Sequence, residues 1–298
     1  MSSPVIIDTY PEFAEARRPF RNAPISRQVD LWADFYRRKW PEIERVQRRV
    51  YERSGVSWRS VAVGRVFPRL SANWRRVEAA HRELLAVIPS ADRRVRRLLG
   101  DVGPVAHVIH VGIGCGAGWA TRLEGRPAVL YGLENVAEAG WTRRGRLGSL
   151  VAHELAHAFH SNLRRSSGRG DLDALRGPYF RLYTEGFATE IERLVAARRN
   201  LGNVDRDPGW SDWCRTHRGW LARRYLDTVR RRRSVRPFYG SWYRVGGHIE
   251  TGYWLGAEIV GGWVGRKSLR SISMMDEPTI RAEVRASLKW MAEERVSE

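Results

Sequence analysis

Residues 149–162, "SLVAHELAHAFHSN", constrain the fold more than any other stretch, because three histidines and a glutamate sit inside an apolar run. A buried helix face excludes charge and imidazole unless each group meets a partner. The segment therefore requires either a metal or a core in which its polar groups are hydrogen-bonded internally. Its Ala and Leu residues, with no run of β-branched side chains, predict a helix over 146–164. The surrounding chain can bury such a helix: it has 298 residues, 43% of them hydrophobic, and 13 tryptophans, which excludes wholesale disorder.

On a helix, residues four apart lie about 40° from each other, so His153 and His157 project from one face, one turn apart. That spacing suits two imidazole ligands of one zinc ion. Glu154, beside the first histidine, reaches the open position and can take a proton from a water that zinc acidifies. The arrangement is H-E-x-x-H, His153-Glu154-Leu155-Ala156-His157. His160 is seven residues from His153, about 10 Å along the axis and too far to share the ion; it lines the cleft or satisfies a neighbour. A third ligand is expected from the next helix, over 178–199, where Glu185 lies among Leu182, Phe187, Ala188 and Ile191. A carboxylate in such surroundings needs a partner, and a metal is an effective one. Two imidazoles and a carboxylate favour Zn2+ over magnesium or calcium.

Elsewhere the periodicity predicts mostly helix. Residues 1–25 read as an extended lead-in. Residues 26–53 read as helix divided at Pro41, and 73–89 as a helix closed by Pro89 with a short basic helix after it. Further helices are expected over 210–232, 247–263 and 277–294, with a polar loop before the Glu185 helix. Between 102 and 138, β-branched residues and glycine punctuation predict two or three strands, near 105–113 and 127–132, with "LEGRP" as the turn. His107 and His110, three apart on a strand, face opposite sides. "GIGCGAG" lacks the G-K-[ST] ending of a phosphate loop and reads as a turn or bulge. The expected class is α+β: a helical N-terminal region over 1–100, and over 101–298 a domain whose small, mostly antiparallel sheet packs on helices.

Two cysteines, Cys115 and Cys214, exclude a disulfide framework or a cysteine-rich zinc module. The N-terminus does not read as a secretory signal, and no run approaches 18 apolar residues, so a soluble, cytoplasmic protein without membrane contact is expected. The formal charge of +19 favours anionic partners, with the arginine clusters at 93–97 and 229–236 as the places to suspect. No nucleic-acid motif accompanies them.

"HELAH" followed by "LYTEGFA" resembles the gluzincin metallopeptidases, the thermolysin and aminopeptidase N superfamily. The segments "GIGCGAGWATRLEGRPAVLYGLENVAEAGW" and "GYWLGAEIV" are also similar to a group of uncharacterised bacterial zinc-dependent proteases. Thr184 stands where aminopeptidase N relatives carry Asn, while Glu185-Gly186-Phe187-Ala188 match. The resemblance spans roughly 105–262. It implies a zincin-like catalytic domain, zinc held by His153, His157 and Glu185, Glu154 as general base, and a peptide or protein substrate. It also implies an edge strand on which a peptide pairs, for which "AVLYGLEN" is the candidate. Glu134 in that segment either grips a substrate amino group or begins the next helix as an N-terminal charge. The oxyanion donor is sought on a later helix, where His248 is the first choice, followed by Tyr253 and the neighbouring Tyr243. Two alternatives stay open: a regulatory metalloprotease that cleaves a nucleic-acid-bound partner, and a non-catalytic basic, nucleic-acid-binding protein with a structural metal.

Overall fold

Pro41 divides the first long helical run, since its fixed φ suits the first turn of a helix and its missing N–H interrupts the preceding one. The computed structural model describes residues 4–197 and 206–293. In chain order they form β1 (Val5–Asp8), α1 (Tyr10–Arg17), α2 (Ile25–Lys39), α3 (Pro41–Ser54), α4 (Trp58–Val61), a π-helical turn (Ala62–Val66), α5 (Phe67–Ala72) and α6 (Trp74–Leu99). Next come β2 (Ala106–His110), β3 (Trp119–Leu123), β4 (Arg126–Gly132), α7 (Leu133–Glu138), α8 (Arg144–Ser166) and α9 (Pro178–Ala197). The chain continues with α10 (Trp210–Thr216), α11 (Arg218–Arg230), α12 (Thr251–Val264), α13 (Leu269–Ser273) and α14 (Glu277–Glu293). The protein is mostly helical with one small mixed sheet, an α+β architecture. Among the described residues no helix is long and apolar enough to cross a membrane.

The chain groups into two compact units. One comprises residues up to Arg93 with Gly103–Glu154; the other comprises Arg94–Val102 with Leu155 onward. The first 25 residues are not an extended lead-in. They supply β1, which pairs with β2, and α1, so the N-terminal segment belongs to the sheet.

In the first unit the sheet order is β1-β2-β4-β3. The expectation of a mostly antiparallel sheet is corrected: β1–β2 and β2–β4 are parallel, and only β3–β4 is antiparallel. The cause is connectivity. Everything from α1 to α6 lies between β1 and β2, a connection long enough to cross over and return parallel. β3 lies between β2 and β4 in sequence, so the chain reverses once before β3 and again at Glu124-Gly125, inside "LEGRP", where both residues have positive φ. The edge strand beside β4 is thus β3, and "AVLYGLEN" supplies an interior strand instead. α6 is also unbroken at Pro89. Val77, Leu84, Ile88 and Val95 are fully buried on both sides of the proline, and that packing outweighs one lost backbone hydrogen bond.

In the second unit the α9–α12 contact is set by two glycines. A Cβ on Gly186 would lie 2.3 Å from the Gly256 carbonyl, and one on Gly256 would lie 2.5 Å from the Leu182 carbonyl oxygen. The helices touch backbone to backbone there, which only glycine permits. Leu182, Phe187, Leu255 and Ile259 fill the remainder of this core. The expected helix over 210–232 is two helices, parted at His217. α12 starts at Thr251 rather than 247, because Gly246, Gly247 and Glu250 adopt positive φ just before it. Residues 198–199 and 294, expected at helix ends, lie outside the described residues.

Candidate metal centre

α8 buries Ala152, Leu155, Ala156, Phe159 and Leu163, and this packing fixes the orientation of the helix on which His153 and His157 stand one turn apart. His153 is buried; His157 and Glu185 are half-buried. Glu185 extends from α9, and its Oε2 lies 3.3 Å from His157 Nε2. One ligand atom from each of His153, His157 and Glu185 falls within 4.8 Å of the others, a cluster able to hold a metal ion. Gly186 follows Glu185 directly, so the backbone contact with Gly256 fixes where that carboxylate leaves the helix.

Glu154 is half-buried and packs against the start of the edge strand. A Cβ on Gly118 would lie 2.8 Å from Glu154 Cγ and 3.1 Å from Leu150 Cδ1, so β3 begins in direct contact with this side chain. Burial, then the Glu154 charge, pushes the Tyr131 phenol well above its ordinary range.

The loop from Val111 to Gly118 is held by side chains of unit one. The Trp32 indole N–H donates to the Val111 carbonyl (2.8 Å), and the Tyr51 hydroxyl donates to the Ile113 carbonyl (2.6 Å). The Gly112 N–H donates to Glu134 Oε2 (2.6 Å), Ile113 to Gln47 Oε1 (3.1 Å) and Gly114 to Glu134 Oε1 (3.0 Å). Glu134 is thus in the first turn of α7, with its carboxylate spent on backbone amides. Burial raises its pKa to about 7 against the lowering effect of those bonds. "GIGCGAG" is a turn, as its composition predicts, but a clamped one. Cys115 donates weakly to the Gln47 carbonyl, and burial pushes its thiol far up, so it is not a reactive thiolate.

The remaining histidines separate into distinct roles. His160 satisfies a neighbour: its Nε2 donates to the Tyr183 hydroxyl (2.9 Å), which donates to the Ile272 carbonyl (2.6 Å). His107 bonds Tyr131 and Asp92. His110 is fully buried, and burial lowers its pKa to about 4 against the raising effect of a backbone hydrogen bond at Val111. Its ring meets Trp119 edge to face at 5.5 Å.

Of the oxyanion candidates, Tyr253 is the one whose phenol feels the Glu185 charge. Burial, then the Glu185 and Glu250 charges, drives the Tyr253 phenol far above its usual range, so it stays protonated. Tyr239, 5.6 Å away ring to ring, feels the same carboxylate. His248 is placed in a tight turn with Val245, its Nδ1 2.7 Å from Asp207 Oδ1 and its ring against Trp213. Tyr243 packs close to Gly240 in the turn before it. Sequence reasoning missed Gly118, Tyr239 and the Gly186–Gly256 pair. The available signal was a glycine inside each of two helical patterns, which is tolerated only for a packing reason.

Comparison with protein-family models, with characterised proteins and with solved structures finds no match for this chain.

Proposed function

We propose that the chain is a zinc-dependent peptide hydrolase of the gluzincin type. The observation that carries this reading is the convergence of His153 and His157 on α8 with Glu185 on α9. A zinc ion with ligands at about 2.0–2.1 Å in a tetrahedron spaces its donor atoms about 3.3 Å apart, and His157 Nε2 and Glu185 Oε2 are 3.3 Å apart. Bound there, zinc would supply Lewis acidity toward a carbonyl oxygen and lower the pKa of the attacking water.

The chain's own groups do the rest. Glu154, its side chain packed close to Gly118, accepts the proton of that water and returns it to the leaving amine. β3 offers an outer edge for an extended peptide, since among the described residues it pairs only with β4. Tyr253, kept protonated by burial and the Glu185 and Glu250 charges, is the group assigned to donate to the developing oxyanion, whereas His248 is engaged with Asp207 through Nδ1.

The test is cleavage of a peptide library by wild type, Glu154→Gln and Tyr253→Phe, with metal measured on each. Activity abolished in E154Q and lowered about 100-fold in Y253F, with metal retained in both, supports the reading. A wild type that binds zinc but cleaves no peptide refutes it.

A further inference from the structure

α11 turns one face to solvent, and that face is almost entirely cationic. Leu221, Ala222 and Tyr225 are buried beneath it. Seven arginines between 223 and 236 are exposed, while Asp227 is the one acidic residue in that span. Asp227 pairs with Arg230 and Arg231. Arg224, Arg232, Arg233 and Arg236 meet no acidic partner among the described residues. Arg232 takes a positive φ of 52° at the end of the helix, turning the run so that the following arginines continue off the helix end.

Aromatic rings are interleaved with this charge. Trp220 is 40% exposed and lies at i−4 from Arg224 and i−7 from Asp227, on the same stripe. It is braced from behind: the Trp213 ring meets it edge to face at 6.0 Å, and Trp213 stacks on His217 at 4.3 Å. On the adjacent α14, Trp290 is 59% exposed, with the Arg218 guanidinium 5.3 Å from its ring.

We propose that this face of α11, together with the arginine run that follows its end, binds single-stranded nucleic acid, the arginines neutralising phosphates and Trp220 stacking on a base. Phosphodiester charge explains why so many guanidiniums are left unpaired, and a planar, braced, exposed ring is the platform that an unpaired base requires. An anionic membrane fits less well. The stripe carries an isolated indole rather than a continuous apolar face that could sink among acyl chains. The inference uses residues of the second unit alone and does not depend on metal or on hydrolysis.

The experiment is fluorescence anisotropy of labelled oligothymidylate with the full-length protein across a salt series. The variants are R224S/R232S/R233S/R236S, W220A and the charge-matched R37S/R38S/R75S/R76S, whose arginines are exposed in the other unit. Single strands give a salt slope of about −0.7 per phosphate neutralised, so the four-arginine variant should flatten the slope by about 3 and weaken binding more than about tenfold. W220A should weaken oligothymidylate binding about five- to hundredfold and leave binding of inorganic polyphosphate, which has no bases, unchanged. The charge-matched variant should stay close to wild type. The proposal is overturned if wild type fails to bind at low salt, if the charge-matched variant loses as much affinity as the α11 variant, or if phosphatidylserine vesicles bind where the oligonucleotide does not.

Discussion

The contact between Gly186 and Gly256 allows a quantitative prediction about the metal centre. In Gly186→Ala, the new methyl would sit 2.3 Å from the Gly256 carbonyl, whereas ordinary contact begins near 3.4 Å, so α9 and α12 must part by more than an ångström. No side chain can rotate away, because the obstacle is backbone. That places the overpacking penalty at the upper end of its range, about 3 kcal/mol, offset by about 1 kcal/mol of improved helix propensity. The net loss of about 2 kcal/mol lowers Tm by about 4–8 °C. Glu185 moves with the helix, and metal ligands tolerate only about 0.2 Å, so metal affinity falls at least about tenfold. Thermal unfolding by circular dichroism and a competitive chelator titration measure the two effects. Because both methyls would enlarge one gap, the double variant G186A/G256A should cost less than the sum of the single variants. A G186A protein that melts with wild type and keeps its metal affinity would refute the close-packing argument.

Gly118→Ala should displace Glu154 while leaving the histidines in place; peptide hydrolysis falls about tenfold or more with metal content intact, and equal loss of metal and activity would count against it. Glu134 has a pKa raised from 4.5 to about 7 in the folded protein, so its contribution to stability is full below about 4.5 and is lost as pH rises through 7. That interval corresponds to about 3 kcal/mol. Urea unfolding should therefore show wild type losing about 3 kcal/mol relative to Glu134→Gln between pH 4.5 and 8, and parallel pH curves would contradict the assignment. Tyr253→Phe should reduce turnover with little change in metal affinity, while His248→Gln should change neither; a large loss of turnover in the histidine variant would reverse that ranking.

The metal cluster was legible because its information is local. Helical spacing alone aligns His153 with His157, and an isolated carboxylate among Leu182, Phe187 and Ile191 calls for a partner. Most of the long helices were legible for the same reason, down to the break at Pro41, whereas α1 and the short helices α4, α5 and α13 were not. Sheet topology was not. Whether β2 and β4 run parallel depends on where β3 inserts, and strand patterning carries no direction. Pro89 misled because burial on both sides of it, at Leu84 and Ile88, is a tertiary fact that overrides a local one. Glu134 illustrates the same limit: its position at the start of α7 follows from sequence, but its bonds to Gly112 and Gly114 require the fold.

The central claim is that His153, His157 and Glu185 hold a zinc ion and that Glu154 stands beside it without being a ligand. Metal content by mass spectrometry on purified wild type, Glu185→Ala and Glu154→Gln tests it most directly. The account predicts about one zinc per chain in wild type, most of it lost in E185A and all of it kept in E154Q. A wild type that cannot be loaded with zinc, or an E185A protein that binds it as tightly as wild type, would contradict it.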